Sequence, residues 1–461
     1  MIEGLKPYAE YKESDIPWAR SLPAHWVTKR GKSYLVAIDQ RSKAGKEELL
    51  TVSSARGVVP RNSTKVTMFK AESYAGHKLC WPGDLVINSL WAWGGGLGVT
   101  QHHGIISTAY SVYRSRPSAH INPRFLHELV RSSAFHWELQ VRSKGVWISR
   151  LQLTDTSFLD APIPLPPPDE QAAIVRFLDH ANRKIDGFIR AKRKLIGLLN
   201  EQKQAIIHRA VTRGLHPDVP LKPSGIPWLG DIPKHWEVRR AKYLFREVDD
   251  RSKEGKETHL AMSQRLGLVP SSMVDSAMRS ESYAGAKLCQ EGDLVLNRLK
   301  AHLGVFALAK QGGVISPDYS VFRKRAAISM EYYESVLKSS ACRRELRIRA
   351  KGLVEGFWRL YTDDFYDIRL PVPPPDEQRE IMSAMTVETA TLTTAIARTE
   401  REIALMQEYR TRLTADLVTG KFDVRAAAAQ LPAQLPAPPA AAAEPLAAEP
   451  LEEIETEDDT E

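Results

Sequence analysis

The sequence repeats itself. IPWARSLPAHWVTKRGKSYL at Ile16–Leu35 returns as IPWLGDIPKHWEVRRAKYLF at Ile226–Phe245. RSKAGKE at Arg41 returns as RSKEGKE at Arg251, and SYAGHKLCWPGDLVIN at Ser73 as SYAGAKLCQEGDLVLN at Ser282. GIISTAYSVYR at Gly104 returns as GVISPDYSVFR at Gly313, and PLPPPDEQAAIVRF at Pro164 as PVPPPDEQREIMSA at Pro371. VTRG at Val211 matches VTGK at Val418. The offset falls from 210 to 209 to 207, so three net deletions separate the copies. Matches kept in one order along the whole length mean a tandem repeat, and such a chain must fold as two similar units.

Each copy has two parts. The first covers roughly Ile16–Asp160, or Ile226–Ile368. GDLVIN and GDLVLN are short apolar runs after a Gly-Asp turn, as strands are. YSVYR and YSVFR alternate apolar and polar. NPRFLHELVRSSAFHWELQ and SMEYYESVLKSSACRRELRIRA have helical spacing. This part is expected to be a compact mixed α/β (α+β) domain.

The second part predicts one long helix per copy. Prolines favour extended structure just before it. Asp169 and Asp376 are candidate helix caps, followed by Glu and Gln in the first turn. In copy one Leu178, Ala181, Ile185, Phe188, Lys192, Leu195, Leu199, Gln202 and Ile206 step by threes and fours, a heptad seam with polar interruptions. Met385, Leu392, Ile396, Ile403, Met406, Leu413 and Leu417 form a looser stripe in copy two. Gly214 and Gly420 read as stop signals. A helix of about 40 residues, ~60 Å long, cannot bury such a stripe on one small domain. The two helices are therefore expected to pair as an antiparallel coiled coil with pseudo-two-fold symmetry. The predicted divisions are 1–160, 161–222 (Pro-rich junction and first helix), 223–368, 369–424 (junction and second helix) and 425–461, an Ala/Pro-rich acidic tail expected to be disordered.

Charge narrows the partners. The net charge is +8, but from Ala426 onward there are nine acids and no Lys or Arg. Without that tail the body carries +17, which suits a polyanion such as nucleic acid. Helix one is notably basic, with Arg176, Arg183, Lys184, Arg190, Lys192, Arg193, Lys194, Lys203, Arg209 and Arg213, so its outer face is expected near DNA or an acidic partner. No apolar run approaches a membrane span, and the N-terminus has no signal-peptide core, so a cytoplasmic protein without membrane contact is expected. Cys80, Cys289 and Cys342 have no zinc spacing, and the KLC pair reads as one buried strand position in two copies.

No catalytic constellation stands out. WGGGLG at Trp93 lacks the spacing of a dinucleotide loop and becomes HLGVFA in copy two. There is no phosphate loop, no H-E-x-x-H, no G-x-S-x-G, no amino-methyltransferase motif and no nuclease carboxylate–lysine set. The expectation is a protein without catalytic residues or a metal site.

Two variable domains, each followed by a PPPDEQ-initiated helix, resemble the specificity subunit of type I restriction–modification systems, the HsdS family. The IPWLGDIPKHWEVRRAKYLF segment leading into the second domain is also similar to that family. The resemblance covers about Ile16–Val424. It implies a non-catalytic DNA-binding subunit with two target recognition domains. Each would read one half of a split, asymmetric site in double-stranded DNA. The helices would set the spacer and dock two modification (methyltransferase) subunits, with restriction (helicase-nuclease) subunits in the full complex. S-adenosylmethionine, ATP and Mg would belong to those partners, and this subunit would hold no cofactor. The competing readings are a self-contained DNA methyltransferase or nuclease, and a coiled-coil scaffold with no DNA role.

Two domains that share a scaffold but read different half-sites should differ where they touch DNA. Ser54, Ala55 and Arg56 oppose Gln264, Arg265 and Leu266. Ser89, Trp91 and Trp93 oppose Arg298, Lys300 and His302. Arg, Lys, Gln and His suit base edges or phosphates, and Trp can stack. Arg61 and Lys65 are candidate phosphate contacts, or else solvated charge. Asn88 and Asn297 are shared and read as scaffold. The subunit-docking seam is expected at Leu178, Ile185, Leu195, Leu199, Ile206, Leu392, Ile396, Ile403, Met406 and Leu413.

Overall fold

The computed structural model describes residues 5–63, 73–145, 151–263, 266–274, 282–352 and 358–432. The chain divides into two compact units, one of 1–190 with the segment from Ile403 onward, the other of 191–402.

In unit 1 the strands that position the candidate site are β1 (Leu35–Ile38), β2 (Leu50–Ser53), β3 (Gly57–Pro60), β4 (Leu85–Asn88), β5 (Leu97–Val99) and β6 (Tyr110–Ser115). Four of them form an antiparallel sheet in the order β1-β6-β4-β5, and β2 pairs with β3 as a hairpin. Strand side chains alternate between faces. Leu85, Ile87 and Tyr113 face a large core with Phe125, Leu129 and Phe135, while Val86 and Val112 face a smaller one with Leu50, Val58 and Cys80. Burial on both faces is why GDLVIN reads as an unbroken apolar run. Cys80 is fully buried, which pushes its thiol up to about 12 and leaves it unreactive.

Unit 2 repeats the plan with β7 (Phe245–Val248), β8 (Leu260–Ser263), β9 (Gly267–Pro270), β10 (Leu294–Asn297), β11 (Phe306–Leu308) and β12 (Tyr319–Lys324). Its sheet order is β7-β12-β10-β11, with β8 and β9 as the hairpin. Mixed α and β structure in a tandem repeat is therefore observed, as the sequence predicts.

The repeated motifs are mutual contacts. Asp84, at the GDL turn, accepts a two-pronged bond from Arg114 of YSVYR at 2.8 and 2.7 Å, and Asp293 does so from Arg323 at 2.8 Å twice. Ser42 donates to Glu47 and accepts the Gly45 N–H within RSKAGKE, as Ser252, Glu257 and Gly255 do within RSKEGKE. Gly45 packs so closely on Tyr74 of SYAG that a Cβ would lie 2.3 Å from its carbonyl carbon.

The helical stretch of copy one is two helices, α1 (Pro123–Val130) and α2 (Ser133–Arg142). Asn122 caps the first and Ser132 the second, each accepting backbone N–H groups. Unit 2 has the matching pair at Met330–Lys338 and Ser340–Arg349, capped by Ser329 and Ser339.

The long helices are α3 (Pro168–Arg213) and a second at Pro375–Val418. Their first turns correct the capping expectation. Pro167 accepts the N–H groups of Glu170 and Gln171, and Pro374 accepts that of Gln378, so these prolines hold the cap position. Asp169 and Asp376 lie one residue inside the helix and are exposed. Gln171 joins this junction to α1, accepting the Asn122 N–H at 2.7 Å and donating to Pro166 at 2.9 Å. Gln378 does the same with Ser329 and Pro373, at 2.8 Å each. Gly214 and Gly420 end the helices at φ +72° and +74°, as expected of C-terminal glycines.

Within each unit the two helices run antiparallel. In unit 1 Ile174, Leu178, Ala181, Ile185 and Ile189 are buried, as are Leu413 and Leu417 opposite. A strict heptad would choose Phe188; the 3.6-residue turn drifts and buries Ile189 in its place. Leu178, Ile185 and Leu413 are thus buried inside the unit, where the expected docking seam would have left them exposed. In unit 2 polar contacts also cross the seam: Lys192 pairs with Glu402 at 2.6 Å, Lys203 donates to Thr393 at 2.9 Å and Arg209 meets Glu388 at 3.3 Å. Of the other seam positions, Leu199, Ile206, Leu392, Ile396, Ile403 and Met406 are half-buried and Leu195 is exposed.

The expected disorder does not begin at residue 425. Arg425–Ala429 is a short helix, Val424 and Ala428 are buried, and Arg176 donates to the Leu431 carbonyl. The acidic stretch lies outside the described residues.

Candidate nucleic-acid interface

Two loops of unit 1 carry the predicted reading residues. The first is the β2–β3 turn, with Arg56 exposed and its N–H on the Ser53 hydroxyl at 3.3 Å. Arg61 follows at a short 3-10 turn, half-buried, its N–H on the Leu49 carbonyl. The second joins β4 to β5. Asn88 opens it by accepting the Leu90 N–H at 3.2 Å, the scaffold role expected of it, and Asn297 accepts the Leu299 N–H at 3.1 Å.

Trp91 and Trp93 lie in that second loop with ring centroids 4.8 Å apart. The glycines of WGGGLG form a floor for Trp91. A Cβ on Gly94 would lie 2.6 Å from its ring, and one on Gly96 2.9 Å from it. These glycines hold an indole, not a phosphate. Trp93 donates its indole N–H to Leu90 at 3.1 Å, which fixes the ring. The pair therefore offers a partly exposed aromatic surface.

One side chain ties the two loops together. The Arg131 guanidinium donates to the Leu97 and Ser54 carbonyls at 2.6 Å each and to Ser53 at 3.4 Å. His127, one turn earlier, accepts the Val99 N–H on Nδ1 at 3.2 Å. Burial, with Arg131 and Arg124 nearby, pulls His127 down to about 4, so the ring is neutral at pH 7.

Ser89 does not belong to this surface. It is 6 % exposed, and its hydroxyl bonds Ser111 at 3.1 Å inside the unit. Its counterpart Arg298 is also turned to structural use, donating to the Asp318 and Pro317 carbonyls at 2.8 and 3.1 Å. Lys300 is exposed beside a 3-10 turn. His302 lies in that turn, but its side chain is outside the described residues, as are Lys65, Gln264 and Arg265 altogether. In unit 1 Arg131 thus links the turn that carries Arg56 to Leu97, at the end of the loop that carries Trp91 and Trp93, and Lys300 is the described counterpart in unit 2.

The basic face of α3 is smaller than its sequence suggests. Lys192, Lys203 and Arg209 contact residues of the second long helix, and Arg176 is taken by Leu431. Among the described residues no cluster of three or more His, Cys, Asp or Glu could hold a metal ion. No helix among them is long and apolar enough to cross a membrane.

No protein-family model matches the sequence. A solved chain, described under the structural basis of complex assembly and conformational transition of the type I R-M system, aligns at 17% identity with a TM-score of 0.57, over 86% of this chain and 98% of that one. The fold is that of a type I restriction–modification chain. An HsdS subunit from Thermoanaerobacter tengcongensis aligns at 16% identity and a TM-score of 0.39, over 87% of this chain and 98% of that one. The type I restriction-modification S subunit from M. genitalium aligns at 11% and 0.31, over 85% and 96%.

Sequence reasoning passed over Arg131 and read Glu170 only as a first-turn acid, yet both residues organise this fold. The signal for Glu170 was present: His-Trp recurs at 25–26 and 235–236, and both tryptophans donate to a PPPDEQ glutamate. Arg131 had no such signal, because copy two carries Lys338 there.

Proposed function

We propose that the chain is the DNA-recognition subunit of a type I restriction–modification complex. Each unit reads one half of a bipartite, asymmetric site in double-stranded DNA. The long helices set the spacer and dock two modification subunits through half-exposed positions such as Leu195, Leu199, Ile396 and Met406. The chain does no chemistry of its own; S-adenosylmethionine, ATP and Mg act in the modification and restriction subunits.

The observation that carries this reading is a shared scaffold with different loop tips. Arg56, Trp91 and Trp93 project from loops of one unit, and Lys300 replaces Trp91 in the other. Two similar units with different tips suit two different half-sites, and aromatic and basic side chains suit stacked bases and phosphates. The type I restriction–modification fold, shared over most of the chain, supports it.

Methylation mapping in cells that co-express the chain with its modification subunits tests the proposal. A split motif with unlike halves is expected; one continuous palindrome would overturn it. Purified complex should also lose DNA affinity steeply with salt, since each phosphate contact contributes about 0.9 to the logarithmic slope. S-adenosylmethionine binding by the chain alone would favour a self-contained methyltransferase.

A further inference from the structure

The two units differ at three positions that touch one another. Gly98, His127 and Arg131 in unit 1 correspond to Ala307, Glu334 and Lys338 in unit 2. The flanking scaffold does not change: Ser132 and Ser339 both cap helices, and Asp84 and Asp293 both bind arginine. The differing trio lies directly beneath the β2–β3 turn.

Its geometry explains the residue types. A Cβ on Gly98 would lie 3.1 Å from the Gly57 Cα and 3.2 Å from the His127 Cε1, so glycine here lets β5 and the turn close on the imidazole. Gly57 has φ +74°, and its own Cβ would meet the same Cε1 at 3.0 Å. His127 in turn accepts from Val99, which fixes β5 beside it. Arg131 then spans both loops with three donor bonds to main-chain carbonyls. Only the planar guanidinium fork reaches several acceptors at fixed angles. In unit 2 Lys338 bonds Glu334 on its own helix at 2.7 Å instead.

We propose that Arg131 is a positioning residue for DNA reading by unit 1, where with His127 and Gly98 it clamps the Ser53–Gly57 turn, and so Arg56, against the Trp91–Trp93 loop. This role rests on the DNA-recognition reading above. Ser53 and Ser54, whose carbonyls Arg131 holds, stand three and two residues before Arg56. The clamp therefore acts on the turn and not on DNA. Lys338 of unit 2 is engaged by Glu334 instead, so the two half-sites respond differently to changes at this position.

The test uses the full chain assembled with its modification subunits and a library of randomised duplex DNA. Arg131→Lys keeps the charge but loses the fork, Arg131→Met removes both, and Gly98→Ala wedges the turn without touching Arg131. Each variant is read by sequence selection and by hydrogen exchange at the 54–57 amides. Exchange there should accelerate in all three. Base preference at one half-site should fall about tenfold, the scale of one lost base contact. Preference at the other half-site should persist, which also shows that the variant is folded. Equal weakening of both half-sites, or unchanged exchange at the turn, overturns the positioning role. A wild-type assembly that enriches no sequence overturns the DNA reading itself, and this role with it, whatever the exchange result.

Discussion

The indole N–H of Trp26 donates to Glu170 at 2.8 Å, and Trp236 makes the same bond to Glu377 at 3.0 Å. Both glutamates come from PPPDEQ, so the motif is a lock for the helix entrance. Glu170 carries more than its twin. It also accepts Tyr8 Oη at 2.5 Å and pairs with His25 at 2.7 Å, and it is 1 % exposed. Burial and this bond to Glu170 push the Tyr8 phenol far above its ordinary range. Glu170→Ala orphans two buried partners, Tyr8 and Trp26, and removes the bond to the more exposed His25, and should cost about 3 kcal/mol. Glu377→Ala loses the Trp236 and His235 bonds at a more open position and should cost about 1–2 kcal/mol. Urea denaturation checks the order; equal losses would contradict it.

Asp84→Asn should destabilise unit 1 by about 2 kcal/mol, because it removes a charge-assisted, two-pronged bond to Arg114 from a buried position. Asp293→Asn should behave alike in unit 2. Unfolding midpoints of the two variants, followed by tryptophan fluorescence, should shift together.

The terminal glycines should differ in tolerance. A Cβ on Gly420 would lie 2.4 Å from Pro23, whereas on Gly214 the nearest atom is a Glu377 oxygen at 3.1 Å. Both have positive φ, so either alanine costs about 1 kcal/mol in backbone strain. Gly420→Ala adds a clash with a rigid ring and should be clearly the worse in thermal melts.

His127 makes stability fall on the acid side. Its ordinary value is 6.5, and the folded protein holds it at about 4. Between those values the unfolded chain takes up a proton that the folded chain refuses, so acid favours unfolding. The loss should total roughly 3 kcal/mol when pH has fallen to about 4. His127→Gln should flatten that part of the stability–pH curve. An unchanged slope would mean that another group is responsible.

The repeat, the strands of GDLVIN and YSVYR, the long helices and their glycine stops were all legible, because each follows from local pattern. Reading residues were less so. Ser89 and Arg298 differ between copies and looked like a contact with DNA, yet one fills an interior hydrogen bond and the other braces carbonyls at 317 and 318. A difference between copies marks any place where packing was solved twice, and sequence alone does not separate that from recognition. The seam shows the same limit. Phe188 and Ile189 both fit an apolar stripe, and only accumulated helical drift decides between them.

The indole of Trp91 resting on Gly94 and Gly96 has an evolutionary consequence. A side chain at either glycine collides with that ring, so Trp91 and its two neighbours must be inherited or replaced as a set. Copy two shows the alternative set, Lys300 with Leu303 and Val305. A single exchange between the sets, in either direction, leaves a mismatched loop. Change at this tip therefore proceeds through poorly fit intermediates or in one step, by copying a whole loop from elsewhere.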